Sequence, residues 1–148
     1  MTDLYRIWIP GKPRPQGSLR FVTRRYAASS PALVAYREQL LHGHRTEWAG
    51  REPISVPVRV DCEFDLVRPK SHYGTGRNFE ALKDAAPRHH AQPPDIDKLL
   101  RAQLDALVVA GVLADDSLVT TIWGRKDWVP RYRGQGAGVQ VTIREALI

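Results

Sequence analysis

With 148 residues the chain is long enough for one domain with a real core and too short for two of ordinary size. Its 22 Lys and Arg against 16 Asp and Glu favour a polyanionic partner over an acidic or neutral one. A single cysteine, Cys62, excludes an internal disulfide and fits a reducing cytoplasm, and no apolar run is long enough to cross a membrane or act as a signal peptide.

Leu4–Ile9 alternates well enough for a first strand. Pro10–Gly17 cannot extend it, because its prolines remove backbone donors. The segment lacks the G-x-x-x-x-G-K-[ST] order, which excludes a phosphate-binding loop of the NTPase kind. Lys12, Arg14, Arg20, Arg24 and Arg25 make it an extended basic arm, suited to contact with a DNA backbone or else simply solvated. Ser30-Pro31 then reads as a helix cap followed by a first-turn proline. Leu33, Val34, Tyr36, Leu40 and Leu41 give that helix one apolar face, ending near Gly43 or somewhat later. His42 and His44 lack a spaced partner for zinc and read as surface histidines.

Val56–Leu66 is the cleanest strand, with Val56, Val58, Val60, Cys62, Phe64 and Leu66 on one face and Arg59, Asp61, Glu63 and Asp65 on the other. Arg68–Gln92 has no periodicity, and a connection this long is usually functional or disordered. Its basic members Arg68, Lys70, Arg77 and Arg88 can approach DNA, while Phe79 or Tyr73 can stack on an opened base or pack locally. His89-His90, without a spaced partner, read as surface residues near the DNA. Leu118–Val129 alternates as a strand, Pro130–Gly138 is a basic glycine-rich turn, and Val139, Val141 and Ile143 mark a last strand. The last two strands most simply pair as a hairpin. The expectation is a single α+β domain over residues 1–148, in the order β-α-β-α-β-β, with a mixed sheet and helices on one face.

Pro93–Ser117 stands apart. Its two Lys/Arg face five Asp/Glu, whereas Met1–Gly50 holds eight basic residues against three acidic. Asp95 and Asp97 stand at the start of an amphipathic helix over Ile96–Val109, Gly111 closes it, and Asp115-Asp116 follow. The helix is roughly 21 Å long, and an extended return from Gly111 to Asp116 covers roughly 20 Å. A turn at Gly111 would therefore bring Asp116 back beside Asp95 and Asp97. Clustered carboxylates repel unless a cation lies between them, and an all-oxygen donor set suits Mg²⁺ or Mn²⁺. The plainer roles are a helix cap for the first pair and a polar turn for the second.

The run Asp95-Ile-Asp97-Lys-Leu99-Leu-Arg101, then Leu104-Asp105-Ala-Leu107, then Asp115-Asp116, resembles the RusA-type Holliday junction resolvases. Their pattern is D-x-D-N-L-x-K, then D-A-L, then D-D. The resemblance implies a dimeric, Mg²⁺-dependent endonuclease, with Mn²⁺ as substitute, that nicks four-way DNA junctions symmetrically in recombination and repair. It implies that Asp95, Asp97 and Asp116 hold the metal, with Asp115 beside them. It places the family's catalytic lysine on Arg101 and its asparagine on Lys98, which adds a cation to the DNA-facing set. Arg101 can stabilise phosphate charge but is a poor proton carrier; its plainer role is a bridge to Asp97 and Asp105 along the helix. The dimer would use the apolar face of the central helix or the tryptophans near the C-terminus. A differently specific metal nuclease and a non-catalytic DNA binder are the alternatives.

Overall fold

The computed structural model describes residues 2–16, 21–22, 25–26, 30–131 and 136–147, the backbone alone at 21–22 and 25–26. Strand β1 runs Asp3–Pro10, and the short strands β2 (Phe21–Val22) and β3 (Arg25–Tyr26) pair with each other. Helix α1 spans Pro31–Trp48 and strand β4 Val58–Val67. Helix α2 spans Ile96–Val109, and strands β5 (Val119–Val129) and β6 (Gly138–Glu145) complete the chain. The main elements follow the expected order, and the class is α+β.

The main sheet is mixed and runs β1-β6-β4-β5. β5 and β6 do not form the expected hairpin. β6 instead pairs antiparallel with both β1 and β4, while β5 pairs parallel with β4. The reason is burial. Val139, Val141, Thr142 and Ile143 of β6 are all buried, which requires neighbours on both sides, whereas the first half of β5 is largely exposed and suits an edge. Parallel strands need a long crossover, and α2 with its preceding loop supplies it.

Both helices pack on one face of the sheet. Tyr36, Leu40 and Trp48 of α1 and Leu99, Ala102, Ala106 and Leu107 of α2 join Val58, Val60, Cys62 and Phe64 of β4 in a single core. Ser30 caps α1 by accepting from the Leu33 N–H at 3.2 Å, with Pro31 in the first turn, as the sequence predicts. The helix continues to Trp48, so His44 lies on its inner side and is fully buried rather than at the surface. Tyr5 donates to His44 Nδ1 at 2.9 Å, His44 Nε2 donates to Gln103 Oε1 at 3.2 Å, and Gln103 Nε2 donates to the Tyr36 hydroxyl at 3.4 Å. One neutral tautomer satisfies the whole chain. Burial pushes His44 down to about 4, against the opposing effect of its bond to Gln103.

β4 begins at Val58; Pro57 interrupts the ladder, and Val56 lies outside it, exposed. Cys62 faces the core, and burial pushes its thiol up to about 12, so it is inert. The opposite sheet face carries a connected ion ladder: Arg59 Nε–Asp61 at 2.7 Å, Arg144 Nη1–Asp61 at 2.9 Å and Arg144 Nε–Asp3 at 2.8 Å. That part of the face is therefore polar and tied together within the chain.

Candidate active site

Amphipathicity fixes how α2 sits. Leu99, Ala102, Gln103, Ala106 and Leu107 are buried, so Asp97, Arg101 and Asp105 fall on the exposed side, one turn apart. Gly124 of β5 lets the helix approach: a Cβ there would meet Leu100 at 3.0 Å. Gly111, at φ +79°, ends the helix in the left-handed region. Between α2 and the edge strand lies a depression of about 550 Å³ lined by Asp97, Leu100, Arg101, Leu104, Asp105, Asp116 and Ile122. The structure thus brings Asp97, Arg101 and Asp116 to one open site, with Asp105 as an unexpected fourth charge.

The return from Gly111 is less direct than the extended path. Val112 and Leu113 donate to the Leu107 carbonyl, Ile54 N donates to Val112 O, and Ala114 N donates to Ile54 O. Pairing with Ile54 diverts the chain, so Asp116 comes to lie with Asp105, with which it lines both this depression and a second groove of about 480 Å³. Asp95 lines neither. Among the described residues, no three acidic, histidine or cysteine side chains come close enough together to hold a metal ion between them.

Asp95 takes the N-cap backbone position of α2, but its carboxylate makes no capping bond. Its partner is Lys98, whose Nζ lies 3.4 Å from Oδ2. Asp115 does the work of a turn residue. It accepts from Ser117 N at 2.7 Å, and that bond holds its carboxyl below the usual range. Among the described residues no ion pair joins Arg101 to Asp97 or Asp105, so its guanidinium is left to the depression instead of bridging the helix face.

Two residues that the sequence pattern does not single out position the site. Gln16, within the basic arm, donates its backbone N–H to Lys98 O at 3.1 Å and its amide to Asp105 Oδ2, and accepts from Arg37 Nε at 3.2 Å. The arm is thereby fastened across α2, with Lys12 exposed and Arg14 half-buried. Lys126 of β5 donates from Nζ to Gln92 O at 2.6 Å and Pro94 O at 2.8 Å, anchoring the segment that delivers Asp95. Neither has a local sequence signal, because each acts through partners far away in the chain.

Of the other basic candidates, Lys70, Arg77 and Arg88 are exposed. Arg68 is buried instead. It donates to Pro87 O at 2.6 Å and Arg88 O at 3.3 Å and lies over the Trp128 ring, tying the long loop to the sheet. Arg20 and Arg24 lie outside the described residues, as does the side chain of Arg25. His90 is buried against Trp128, with ring centroids 4.2 Å apart, and so is not at the surface; His89 is.

The family model for endodeoxyribonuclease RusA matches residues 10–144. The chain belongs to the RusA endodeoxyribonuclease family. No curated protein matches it. The match takes in the arm, both helices and the acidic stretch, so this RusA-family chain carries its Asp97–Arg101–Asp105 stripe inside the family's own region. Among the described residues no helix is long and apolar enough to cross a membrane.

The donor set fits a divalent cation in kind. It is carboxylate oxygen alone, which suits Mg²⁺ or Mn²⁺. Mg²⁺ keeps several waters and is commonly held by one or two carboxylates together with substrate phosphate, so it does not require three protein ligands. Asp97 and Asp116 on one open depression provide that partial grip.

Proposed function

We propose that this RusA endodeoxyribonuclease is Mg²⁺-dependent and resolves four-way DNA junctions by paired symmetric nicks, acting as a homodimer in the cytoplasm during recombination and repair. The observation that carries the reading is the placement of Asp97, Arg101 and Asp116 on one depression within a chain matched by the family over residues 10–144.

Asp97 and Asp116 hold the cation, with Asp95 entering when Lys98 releases it and Asp115 bracing the turn that presents Asp116. When bound, the cation supplies positive charge to the scissile phosphate and lowers the pKa of an attacking water. Arg101 binds the phosphate oxygens from the same side and carries charge only, since it stays protonated throughout. Asp105 is bonded to Gln16 and orients the arm rather than the phosphate. Lys12 and Arg14, with the exposed loop cations Lys70, Arg77 and Arg88, neutralise the flanking backbone. Two copies related by a two-fold axis match the symmetry of the junction. The apolar face of α2 is packed inside its own protomer and is not free to form that contact, whereas Trp123 remains 41% exposed.

Cleavage of synthetic four-way junctions and linear duplex, in Mg²⁺, Mn²⁺, Ca²⁺ and EDTA, tests this. Junction-selective nicking in Mg²⁺ or Mn²⁺, with binding alone in Ca²⁺, is expected. Full cleavage in EDTA would end the metal mechanism, and equal cutting of linear duplex would end the resolvase reading.

A further inference from the structure

The long loop before α2 is built, not slack. Lys83 N donates to His72 O at 2.9 Å, and Gly74 N to Ala81 O at 2.9 Å. A bridge between Tyr73 and Leu82 closes the excursion, and Asn78, Phe79 and Ala81 donate back into its own turns. Gly74 is required where the two sides cross, since a Cβ there would lie 2.7 Å from Asn78 O. The root is equally firm. Tyr73 is buried, its hydroxyl accepts from Arg131 N at 2.9 Å, and Arg68 clamps the outgoing strand at Pro87 and Arg88. Tyr73 therefore packs locally and is not the stacking residue.

On this rooted finger Phe79 is 47% exposed and Leu82 49%. On it Arg77 and Lys83 outnumber Glu80, and Lys70 and Arg88 outnumber Asp84 at its flanks; all six are exposed. Exposed apolar side chains on a loop with an excess of positive charge suit a surface that is itself flat, apolar and edged with phosphate. We propose that residues 72–83 form a preorganised finger whose Phe79 and Leu82 stack on unpaired bases at a DNA branch point. The proposal rests on the nucleic-acid reading of the site above and adds to it the part of the substrate that is recognised. Rigidity keeps the ordering cost of binding low. Base–aromatic stacking is tolerant of sequence, so the finger selects branch structure over base identity.

The test uses a four-way junction carrying 2-aminopurine beside the branch point, with the intact protein in Ca²⁺ so that binding is read without cutting. Wild type should raise the 2-aminopurine fluorescence. Phe79→Ala and Leu82→Ala should lose most of that rise and weaken junction binding on the order of tenfold, while linear-duplex binding stays unchanged. Phe79→Trp should restore the signal, which a merely structural role for the ring would not predict. An unchanged rise in Phe79→Ala overturns the proposal, as does the absence of any rise with wild type even if wild type cleaves junctions. Light scattering on the same variants closes the other route: if Phe79→Ala abolishes self-association, the tip is an interface between copies and the proposal is wrong. A wild type that binds junctions no better than duplex would refute the resolvase reading itself, a result distinct from all of these.

Discussion

Helix α2 has two polar stripes, and they are treated in opposite ways. On its inner side Gln103 joins Tyr5, His44 and Tyr36 in a buried chain in which each link has a partner. On its outer side Asp97 and Arg101 face an open depression, with no ion pair between them among the described residues. Buried polar groups must be satisfied by the protein, because an orphan costs about 1–3 kcal/mol. Exposed charges can be left for a ligand to satisfy. The contrast separates residues that hold the helix in place from residues that the held helix offers to a substrate.

The strongest test of that separation is to neutralise the outer stripe. Asp97→Asn and Asp116→Asn should each reduce Mg²⁺-dependent junction cleavage about 100-fold or more, an order suited to losing a metal ligand. Junction binding should persist. Metal-free stability should change by no more than about 1 kcal/mol, because Asp97 loses only a surface interaction with the start of the helix. Parallel gel cleavage, gel shift and thermal melts would decide it; variants that melt far lower and still cut DNA would make these acids structural.

The inner stripe should respond in the reverse sense. Gln103→Ala opens a cavity and strands both His44 and Tyr36, so a loss of about 2–4 kcal/mol in urea unfolding is expected. Activity per folded molecule should hold. The same network predicts a pH dependence. The fold accommodates neutral His44, whose pKa is lowered from 6.5 to about 4. Its contribution is therefore complete above pH 6.5 and drains away as the pH falls from there through about 4. The amount is on the order of 3 kcal/mol. Unfolding measured between pH 7 and pH 4 should show that slope in wild type and lose it in His44→Leu.

Much of this is legible in the sequence. The helix of α2, its cap region and the outward placement of Asp97 and Arg101 follow from the spacing of Leu99, Leu100, Leu104 and Leu107, since a single helical period sorts both faces at once. What escaped were features set by distant partners. His44 looked like a surface residue because α1 runs another turn beyond Gly43, and its partners lie on β1 and α2. Adjacency in sequence suggests a β5–β6 hairpin, but the crossover helix between β4 and β5 marks a parallel pair and leaves β6 to lie between β1 and β4. Asp116 shares a depression with Asp97 but not with Asp95, and the path that brings it there runs through backbone bonds with Ile54 that chain length alone does not reveal. Gln16 and Lys126 carry no sequence signal for the same reason: their side-chain hydrogen bonds span between 21 and 89 residues, with no motif at either end.

Arg101 sits at the middle of the outer stripe and should show an intermediate effect. Its replacement by alanine should slow cleavage about 10- to 100-fold with little change in binding, as expected for a charge aimed at the phosphate. Arg101→Lys keeps that charge and should retain or raise the rate. Single-turnover kinetics at saturating protein would separate the two steps, and an alanine variant that cuts at the wild-type rate would remove Arg101 from the site.

The smallest effect tests where the two treatments meet, at Asp95. Its carboxylate is neither buried and satisfied nor open to the depression; it rests against Lys98 at 3.4 Å, with both side chains about half exposed. Such a pair contributes little, at most about 1 kcal/mol and often nothing measurable. Lys98→Asn should therefore leave the melting temperature within a few degrees of wild type. It also places asparagine where the family pattern has it and frees Asp95 for the cation. The Mg²⁺ concentration that supports half-maximal cleavage should then fall several-fold, while the salt dependence of junction binding weakens by about one phosphate contact per subunit if Lys98 also touches DNA. A Mg²⁺ titration of cleavage, paired with binding in Ca²⁺ across a salt series, reads both. If the Mg²⁺ requirement is unmoved, Asp95 is not held in reserve by Lys98, and the metal grip consists of Asp97 and Asp116 alone.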